Sequence, residues 1–460
     1  MKRSLLIKPS MNEEYPTVTH GKGIYLFDKD GKRYIDGSSG AVTTSIGHGV
    51  PEIIEAMHDQ AKKVSFVYRS QFTSEPAEQL AEKLNELVGS DEDYWSFFVN
   101  SGSEATETAM KIAIQYWQEQ GHFKKHKILS RWVSYHGITL GALSMSGHVS
   151  RRERFVSILE DYPSVSAPYC YQCSLQQTYP SCQLACANEI ETSIKRIGPE
   201  QIAAFIAEPI IGAAGGVVIP PEGYYQQVRE ICDRYDILFI ADEVMTGIGR
   251  TGEMFGLHHW GVQADIIALG KGMSAGYTAI AATLASEKVM KPIIQGSNSV
   301  MSGHTYSANP QSAATALAVL QYIEKHQLVQ NAKDQGAYLL QKLQEETGDI
   351  GIIGDIRGKG LMVGVEFVSD KTSKYPFDKK LMLTNMVVAK AREKGLLIYP
   401  SSAGQEGARG DAVIISPPFI ITKHQIEELV SIFQEVVLEI QKEVGGGEHV
   451  GTNKTSEKNE

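Results

Sequence analysis

Cysteine is scarce in this chain, with five residues among 460. So few cysteines exclude the disulfide-built scaffold of small secreted domains. Long apolar runs are also missing: no stretch approaches roughly 18 uninterrupted apolar residues, which excludes a membrane span. The start of the chain has only three apolar residues before Lys8, too few for the core of a signal peptide. These absences predict a cytoplasmic protein with reduced thiols and no membrane partner.

Positive charge is in the minority, with 44 Lys and Arg residues against 54 Asp and Glu and a formal net charge of −10. Because no run of Lys and Arg is long enough to form a basic patch, nucleic acid is not expected as a partner. Apolar residues make up 42% of the chain, an ordinary globular proportion. The stretch 445–460 begins with three glycines and lacks apolar periodicity, which predicts a disordered tail.

Short apolar runs alternate with amphipathic segments through the middle of the chain, a pattern typical of an α/β fold with a mostly parallel sheet. The predicted strands cover 96–99, 203–207, 237–241 and 266–269, and the predicted helices cover 104–118, 224–235 and 424–443. Two long helices are expected after residue 311. We therefore predict a large domain over 71–310 and a smaller α+β domain formed by the two termini, 1–70 and 311–444.

Three polar residues follow buried strands directly. Glu208, Asp242 and Lys271 stand where predicted strands end, and ligands of open parallel sheets bind outside the carboxyl ends of the strands. These side chains should therefore meet in one crevice. A further strand runs into Asn100-Ser-Gly-Ser-Glu104 and a helix, whose free N–H groups can hold a phosphate.

A lysine, an aspartate and a phosphate cradle in one crevice are what pyridoxal phosphate requires. Each residue alone also has a structural interpretation. Lys271 between two glycines could be a solvated loop residue, and Asp242-Glu243 could cap a helix or hold a nucleotide's metal ion. The combination favours the cofactor.

The surrounding motifs all indicate the same family. The segment Asp242-Glu-Val-Met-Thr-Gly-Ile-Gly-Arg-Thr-Gly252 closely resembles the signature of the class III, fold-type I pyridoxal-phosphate aminotransferases. The resemblance runs from Gly21 to about Val437. It includes the motifs Asn100-Ser-Gly-Ser-Glu-Ala105, Tyr135-His-Gly137, Glu208-Pro209, Leu269-Gly-Lys-Gly272 and Gly303-His-Thr-Tyr-Ser-Ala-Asn-Pro310.

The resemblance implies a role for individual residues. Lys271 corresponds to the Schiff-base lysine and proton carrier, and Asp242 to the partner of the pyridine nitrogen. Val244 and Tyr135 correspond to the residues on the two faces of the ring. The remaining expected cofactor contacts are Ser101, Gly102, Ser103, His136 and Glu208, together with Thr305, which in this dimeric family reaches the phosphate of the neighbouring subunit. A homodimer or higher oligomer with shared active sites is therefore expected.

Substrate contacts are less closely specified by the resemblance. In relatives that use both an amine and a keto acid, the residue matching Glu208 pairs with a mobile arginine, for which Arg409 is the candidate here. A solvated loop arginine is the alternative. Val42 occupies a position where many amine-preferring relatives carry a tryptophan, which implies a roomier pocket wall.

Four of the five cysteines fall within a short segment, as Cys170, Cys173, Cys182 and Cys186. Such spacing fits either a structural metal or cluster site or free or redox-paired thiols. Cys182 and Cys186 could instead share one helix for other reasons. We expect thiols and assign no metal site.

The resemblance implies a transaminase that moves an amino group from an amine or ω-amino acid to a keto acid, pyruvate or 2-oxoglutarate, by a ping-pong mechanism. A semialdehyde 2,1-aminomutase or a decarboxylase on the same fold is the alternative enzyme. A non-enzymatic regulator is the alternative outside catalysis, but only about 20 residues precede the first family motif, too few for a DNA-binding domain.

Overall fold

Strands and helices alternate through the centre of the computed structural model, which describes residues 5–404 and 409–445. The strands are β1 Val18–Lys22, β2 Tyr25–Asp28, β3 Arg33–Asp36, β4 Tyr94–Val99, β5 Lys127–Arg131, β6 Ser164–Val165, β7 Ile202–Ala207, β8 Leu238–Asp242, β9 Ile266–Leu269, β10 Ala281–Ser286, β11 Ile353–Gly358, β12 Val363–Phe367, β13 Leu396–Leu397, β14 Tyr399–Ala403 and β15 Gly410–Ile415.

The helices match the apolar periodicity of the sequence. They are α1 Ser39–Val42, α2 Pro51–Lys63, α3 Glu75–Val88, α4 Gly102–Glu119, α5 Leu140–Ser144, α6 Val149–Arg152, α7 Ala185–Ile197, α8 Tyr224–Arg234, α9 Glu287–Gln295, α10 Pro310–Lys325, α11 Leu328–Thr347, α12 Leu383–Glu393 and α13 Lys423–Gly445. Within residues 5–404 and 409–445, no helix is long and apolar enough to cross a bilayer. The predicted tail lies outside the described residues, except for Gly445, which ends α13.

A seven-stranded sheet forms the centre of the fold, in the order β4-β10-β9-β8-β7-β5-β6. Only β10 among the strands of this described sheet is antiparallel to its neighbours β4 and β9. Strand β10 was not predicted from the sequence. Because β4 is antiparallel to β10, it runs in the same direction as the remaining strands, and their carboxyl ends share one edge. The continuous apolar runs of β7, β8 and β9 are fully buried, as expected for parallel strands covered on both faces.

The sequence of helix α4 explains both its buried face and its starting point. The apolar residues predicted on one face, Ala105, Ala109, Ile112, Ala113 and Tyr116, are all buried. The helix starts two residues earlier than predicted because Ser101 is its N-cap. The Ser101 side chain accepts a hydrogen bond from the Glu104 amide at 3.2 Å, which satisfies one of the unpaired amides of the first turn.

The two ends of the chain share one of the smaller sheets. Its order is β1-β2-β3-β13, and β13 pairs in parallel with β3 through Leu396 opposite Ile35. The other small sheet has the order β11-β12-β15-β14 and is antiparallel. This arrangement agrees with a fold-type I architecture. The domain boundaries at residues 70 and 310 remain predictions.

A buried arginine of the family signature joins these parts. The Arg250 guanidinium donates to the carbonyl oxygens of Leu361 at 3.0 Å and Pro417 at 2.7 Å. It also donates to the Ser39 hydroxyl at 3.3 Å and lies over the Phe419 ring. Burial lowers the pKa of Arg250 to about 9. One side chain of the central signature thus holds both an N-terminal and a C-terminal segment against the large sheet.

Helix α11 approaches the loop before β12 at backbone distance. A Cβ placed on Gly336 would lie 2.1 Å from the carbonyl carbon of Gly360, which itself has φ +54°. Atoms cannot approach this closely, so the helix and the loop can only meet as they do because Gly336 has no side chain.

Replacing Gly336 by Ala should therefore force α11 away from the loop and destabilise the protein by about 1–3 kcal/mol. The midpoint of thermal unfolding measures the effect. Asp334→Ala on the exposed side of the same helix is the control, since it adds no atoms at the contact. A midpoint for Gly336→Ala equal to or above that of the control would contradict the packing argument.

Candidate active site

The carboxyl ends of three central strands meet at one cavity of about 160 Å³. Glu208 and Lys271 follow β7 and β9, while Asp242 is the last residue of β8 rather than the first residue after it. The cavity is lined by Gly102, Ser103, Tyr135, His136, Gly137, Glu208, Asp242, Val244, Met245 and Lys271. The structure thus brings together all the sequence-predicted site residues except Ser101, Val42, Thr305 and Arg409. Gly137 and Met245 were not predicted.

Asp242 is a buried carboxylate with protein partners on both oxygens. Its Oδ2 lies 2.8 Å from His136 Nδ1, and its Oδ1 accepts a hydrogen bond from the Val244 amide at 3.1 Å. Because a carboxylate can only accept, His136 carries its proton on Nδ1. The ring of His136 is fully buried. The histidine therefore orients the carboxylate and shields it from water.

Lys271 lies in a strained backbone conformation, with φ +41°, at the start of a short 3-10 turn. Its side chain reaches the cavity but is otherwise surrounded by protein. Burial lowers the pKa of Lys271 to about 8, although the carboxylates of Asp242 and Glu208 act in the opposite direction. A lysine in this environment is neutral far more often at physiological pH than an exposed one, and a neutral amine is the nucleophilic form.

The start of α4 forms an anion cradle at the cavity. The amides of Gly102 and Ser103 are the first two of the helix and have no intrahelical acceptor. A Cβ on Gly102 would lie 2.7 Å from Cγ1 of Val244, so a side chain there would fill the space between the helix end and Val244. The Ser103 hydroxyl accepts from the Ile138 amide at 3.0 Å and keeps its own proton for another acceptor.

Ser101 has a different position from the one expected. Its side chain is used as the N-cap of α4, and it is not among the described residues that line the cavity. Its contribution is to hold the helix end in place, while the exposed amides come from the next two residues.

Glu208 is buried and fixes the backbone around Tyr135. One carboxylate oxygen accepts from the Tyr135 amide and the other from the Gly212 amide, both at 2.9 Å. Burial raises the pKa of Glu208, and the nearby Asp242 charge adds to the effect. Sequence reasoning assigned Glu208 to the cofactor or to an arginine. In this structure, its two oxygens hold main-chain amides.

A second, larger cavity of about 600 Å³ shares none of its described lining residues with the first, but two of them contact the Tyr135 ring. Arg151 lines this cavity, and its guanidinium carbon lies 4.6 Å from the centroid of the Tyr135 ring. His148, also in its wall, packs edge-on against the same ring. Arg409 lines the larger cavity, so it is near the site but outside the Lys271 cavity. Arg151 belongs to no recognised motif and was not predicted.

Val42 and Thr305 are not among the described residues lining either cavity. Val42 is buried, with φ +59°, at the end of the kinked segment α1. Thr305 is exposed in the loop between α9 and α10. Within a single chain, neither residue reaches Lys271.

The cysteine segment contains no disulfide, since Cys170, Cys173, Cys182 and Cys186 are all free thiols. Residues 5–404 and 409–445 hold no group of three or more His, Cys, Asp or Glu side chains arranged to bind a metal ion. Helix α7 begins at Ala185, so Cys182 lies before it and does not share a helix with Cys186. Burial raises the pKa of Cys186 to about 12, which keeps this thiol protonated and unreactive.

Comparisons with known proteins agree with the geometry. The family model described as Aminotransferase class-III matches residues 8–437. The uncharacterized aminotransferase YodT of Bacillus subtilis is 54% identical over 95% of this chain and 98% of its own. The diaminobutyrate–2-oxoglutarate transaminase of Halomonas elongata is 34% identical over 91% of this chain and 89% of its own.

Solved structures show the same likeness. The crystal structure of the omega transaminase from Pseudomonas jessenii in complex with PMP superposes with a TM-score of 0.87, at 35% identity over 94% of both chains. A buried lysine and aspartate at adjacent strand ends, beside a helix start, are thus set in a fold already known for amino-group transfer. The chain belongs to the class III aminotransferases, whose members use pyridoxal phosphate, and it is an aminotransferase.

The environment of Lys271 predicts a characteristic labelling profile. In protein prepared without cofactor, modification of Lys271 by an amine-reactive reagent should reach half of its plateau rate near the pKa of about 8, followed by mass spectrometry of the labelled peptide. In Asp242→Asn the half-point should move lower, because the carboxylate that stabilises the ammonium is gone. Lys62, which is exposed, is the internal control and should label alike in both proteins. A half-point that rises in Asp242→Asn would contradict the arrangement.

Proposed function

We propose that this aminotransferase binds pyridoxal phosphate in the cavity at the ends of β7, β8 and β9. The fit rests on three local observations: a buried carboxylate already held by His136, a lysine with a lowered pKa, and a helix start kept clear by Gly102. When bound, pyridoxal phosphate supplies an electron-accepting ring that stabilises negative charge at the carbon bearing the amino group.

Each residue then has a defined task. The amides of Gly102 and Ser103 and the Ser103 hydroxyl hold the phosphate at the helix start. Asp242 keeps the pyridine nitrogen protonated, Val244 packs against one ring face, and Tyr135 covers the other. Lys271 would anchor the group covalently and, when free, would carry the proton to and from the substrate carbon.

A homodimer completes the site in this proposal. Thr305 is exposed, and apolar side chains around its loop are exposed as well: Phe66, Tyr68, Phe72, Met301 and Tyr306. Phe66 and Tyr306 already touch edge-to-face. A partner subunit covering this apolar surface would bury it and bring Thr305 to the neighbour's phosphate. The free thiols favour a cytoplasmic location.

The substrates are an amine or ω-amino acid as donor and a keto acid, pyruvate or 2-oxoglutarate, as acceptor. The position of Arg409 in the wall of the larger cavity supports its role as the residue that binds the keto acid's carboxylate. A guanidinium can pair with a carboxylate through two parallel hydrogen bonds. Val42, buried beside the kinked α1, shapes the pocket only indirectly.

The lysine at position 271 carries this proposal, and its removal tests it. Lys271→Ala should lower turnover by roughly 10²- to 10⁴-fold or more, because both the covalent anchor and the proton carrier are lost. The visible absorbance band of the bound cofactor should shift as well. Lys62→Ala, an exposed lysine, is the matched control. Undiminished amino transfer by Lys271→Ala would refute the mechanism.

The role of Arg409 can be tested separately. Arg409→Ala should raise the apparent KM for the keto acid by roughly 30- to 150-fold, since one charge-assisted pair is lost. The KM for a carboxylate-free amine should change little. Steady-state kinetics with each substrate varied in turn measure both values. Equal effects on the two substrates, or no effect, would remove Arg409 as the carboxylate anchor.

A further inference from the structure

The larger cavity beside Tyr135 has a predominantly positive wall. Arg151, Lys379 and Arg409 line it, against a single carboxylate, Asp411, among its described lining residues. Asp411 is already engaged: its Oδ1 accepts from the Thr384 amide at 3.0 Å and from the Thr384 hydroxyl at 2.7 Å. The Asp411 carboxylate is thus held by Thr384, while Arg151 lines the same cavity.

Two adjacent arginines on α6, Arg151 and Arg152, differ in the contacts that their guanidinium groups make. Arg152 is committed to the fold, since it donates to the carbonyl oxygens of Leu143, Ser144 and Ser146 at 3.2, 2.9 and 2.7 Å. Arg151 only stacks on Tyr135 at 4.6 Å. Across residues 5–404 and 409–445, no carboxylate lies within 4.0 Å of its guanidinium. Stacking fixes the plane of the guanidinium and leaves its edge N–H groups directed elsewhere.

The pKa of His148 is affected by burial as well as by the charge of Arg151. His148 lies in the cavity wall and packs edge-on against the Tyr135 ring, which Arg151 also contacts. Burial lowers the pKa of His148 to about 4, and the charge of Arg151 adds to the effect. The histidine is thus neutral at physiological pH and supplies no further positive charge, so Arg151 is the cation held against the ring.

We infer that Arg151 binds a terminal carboxylate of the substrate, at the end remote from the reacting carbon. This inference rests on the proposed function and deepens it, since it selects ω-amino acids over uncharged amines as donors. Tyr135 lines the Lys271 cavity, and its ring contacts Arg151, which lines the larger one. A substrate whose amino end lies at Lys271 can extend past the tyrosine to the arginine.

The chemistry of the guanidinium suits this task. The guanidinium is planar and permanently charged, and it donates two parallel N–H···O bonds to a carboxylate. Its stacking on Tyr135 holds it in place before binding, which reduces the entropy lost on complex formation. Arg409 and Arg151 line the same cavity, and Arg151, which also contacts Tyr135, is assigned the carboxylate remote from the reacting carbon.

Two pairs of probes, each with one member that carries a terminal carboxylate and one that does not, test the inference on the holoenzyme. Isothermal titration calorimetry compares glutarate, a dicarboxylate, with glutaramide, its neutral diamide. Half-reaction kinetics compare 5-aminopentanoate with pentylamine. Arg151→Ala should weaken glutarate binding and raise the apparent KM for 5-aminopentanoate by roughly 10- to 100-fold. The values for glutaramide and pentylamine should remain within about twofold of the parent protein.

Two further variants separate binding from folding. Arg154→Ala removes an exposed arginine that does not line the cavity and should change none of the four values. Arg151→Lys keeps the charge without the planar fork and should recover part of the glutarate affinity. Should Arg151→Ala fail to fold, Arg151→Lys and Arg151→Gln provide the same comparison, with the glutamine variant expected to lose the preference for the charged probes.

The outcomes distinguish this inference from the proposed function. If Arg151→Ala leaves the charged-to-neutral preference unchanged, or weakens both kinds of probe equally, the subsite does not exist. The aminotransferase assignment would then still stand on the pentylamine half-reaction. If the parent protein transfers an amino group from neither donor, the proposed substrate class fails, while glutarate calorimetry still decides whether Arg151 binds a carboxylate.

Discussion

The buried carboxylate of Asp242 is the constraint on which the rest of the site depends. A charge removed from water is costly unless it is paired and hydrogen-bonded. Here His136 and the Val244 amide satisfy it. The histidine is held in turn: its amide donates to Ser146 Oγ at 2.8 Å, and its carbonyl accepts from Thr106 Oγ1 at 2.6 Å. The end of β8 thereby fixes both α4 and the loop after β5.

The supporting contacts around the cavity are mainly to the backbone. Glu208 holds the amides of Tyr135 and Gly212, and its own carbonyl accepts from buried Arg131 at 2.7 Å. Main-chain atoms are positioned by secondary structure, so such contacts hold a site more rigidly than side-chain pairs alone. The backbone of Tyr135 is therefore held in place. Its ring in turn helps to position the Arg151 guanidinium that lies over it.

Much of the architecture could be predicted because its signals are local. A polar residue that interrupts a buried run marks the end of a strand, which placed Glu208, Asp242 and Lys271 at one edge of the sheet. The residues that escaped prediction depend on tertiary contacts. Strand β10 carries no motif, the Ser101 side chain caps α4, and Arg151 differs from Arg152 only in what surrounds it. Such differences have no signature in the order of residues.

The pairing of β3 with β13 has a consequence for synthesis of the chain. Ile35 is translated long before its partner Leu396. Arg250 likewise cannot donate to the carbonyl oxygen of Pro417 until that residue has been translated. The first sheet therefore stays incomplete, with an unpaired edge, until Leu396 has been translated. The central sheet can assemble on the nascent chain before Leu396 is made, whereas closure of the N-terminal sheet must wait for that residue.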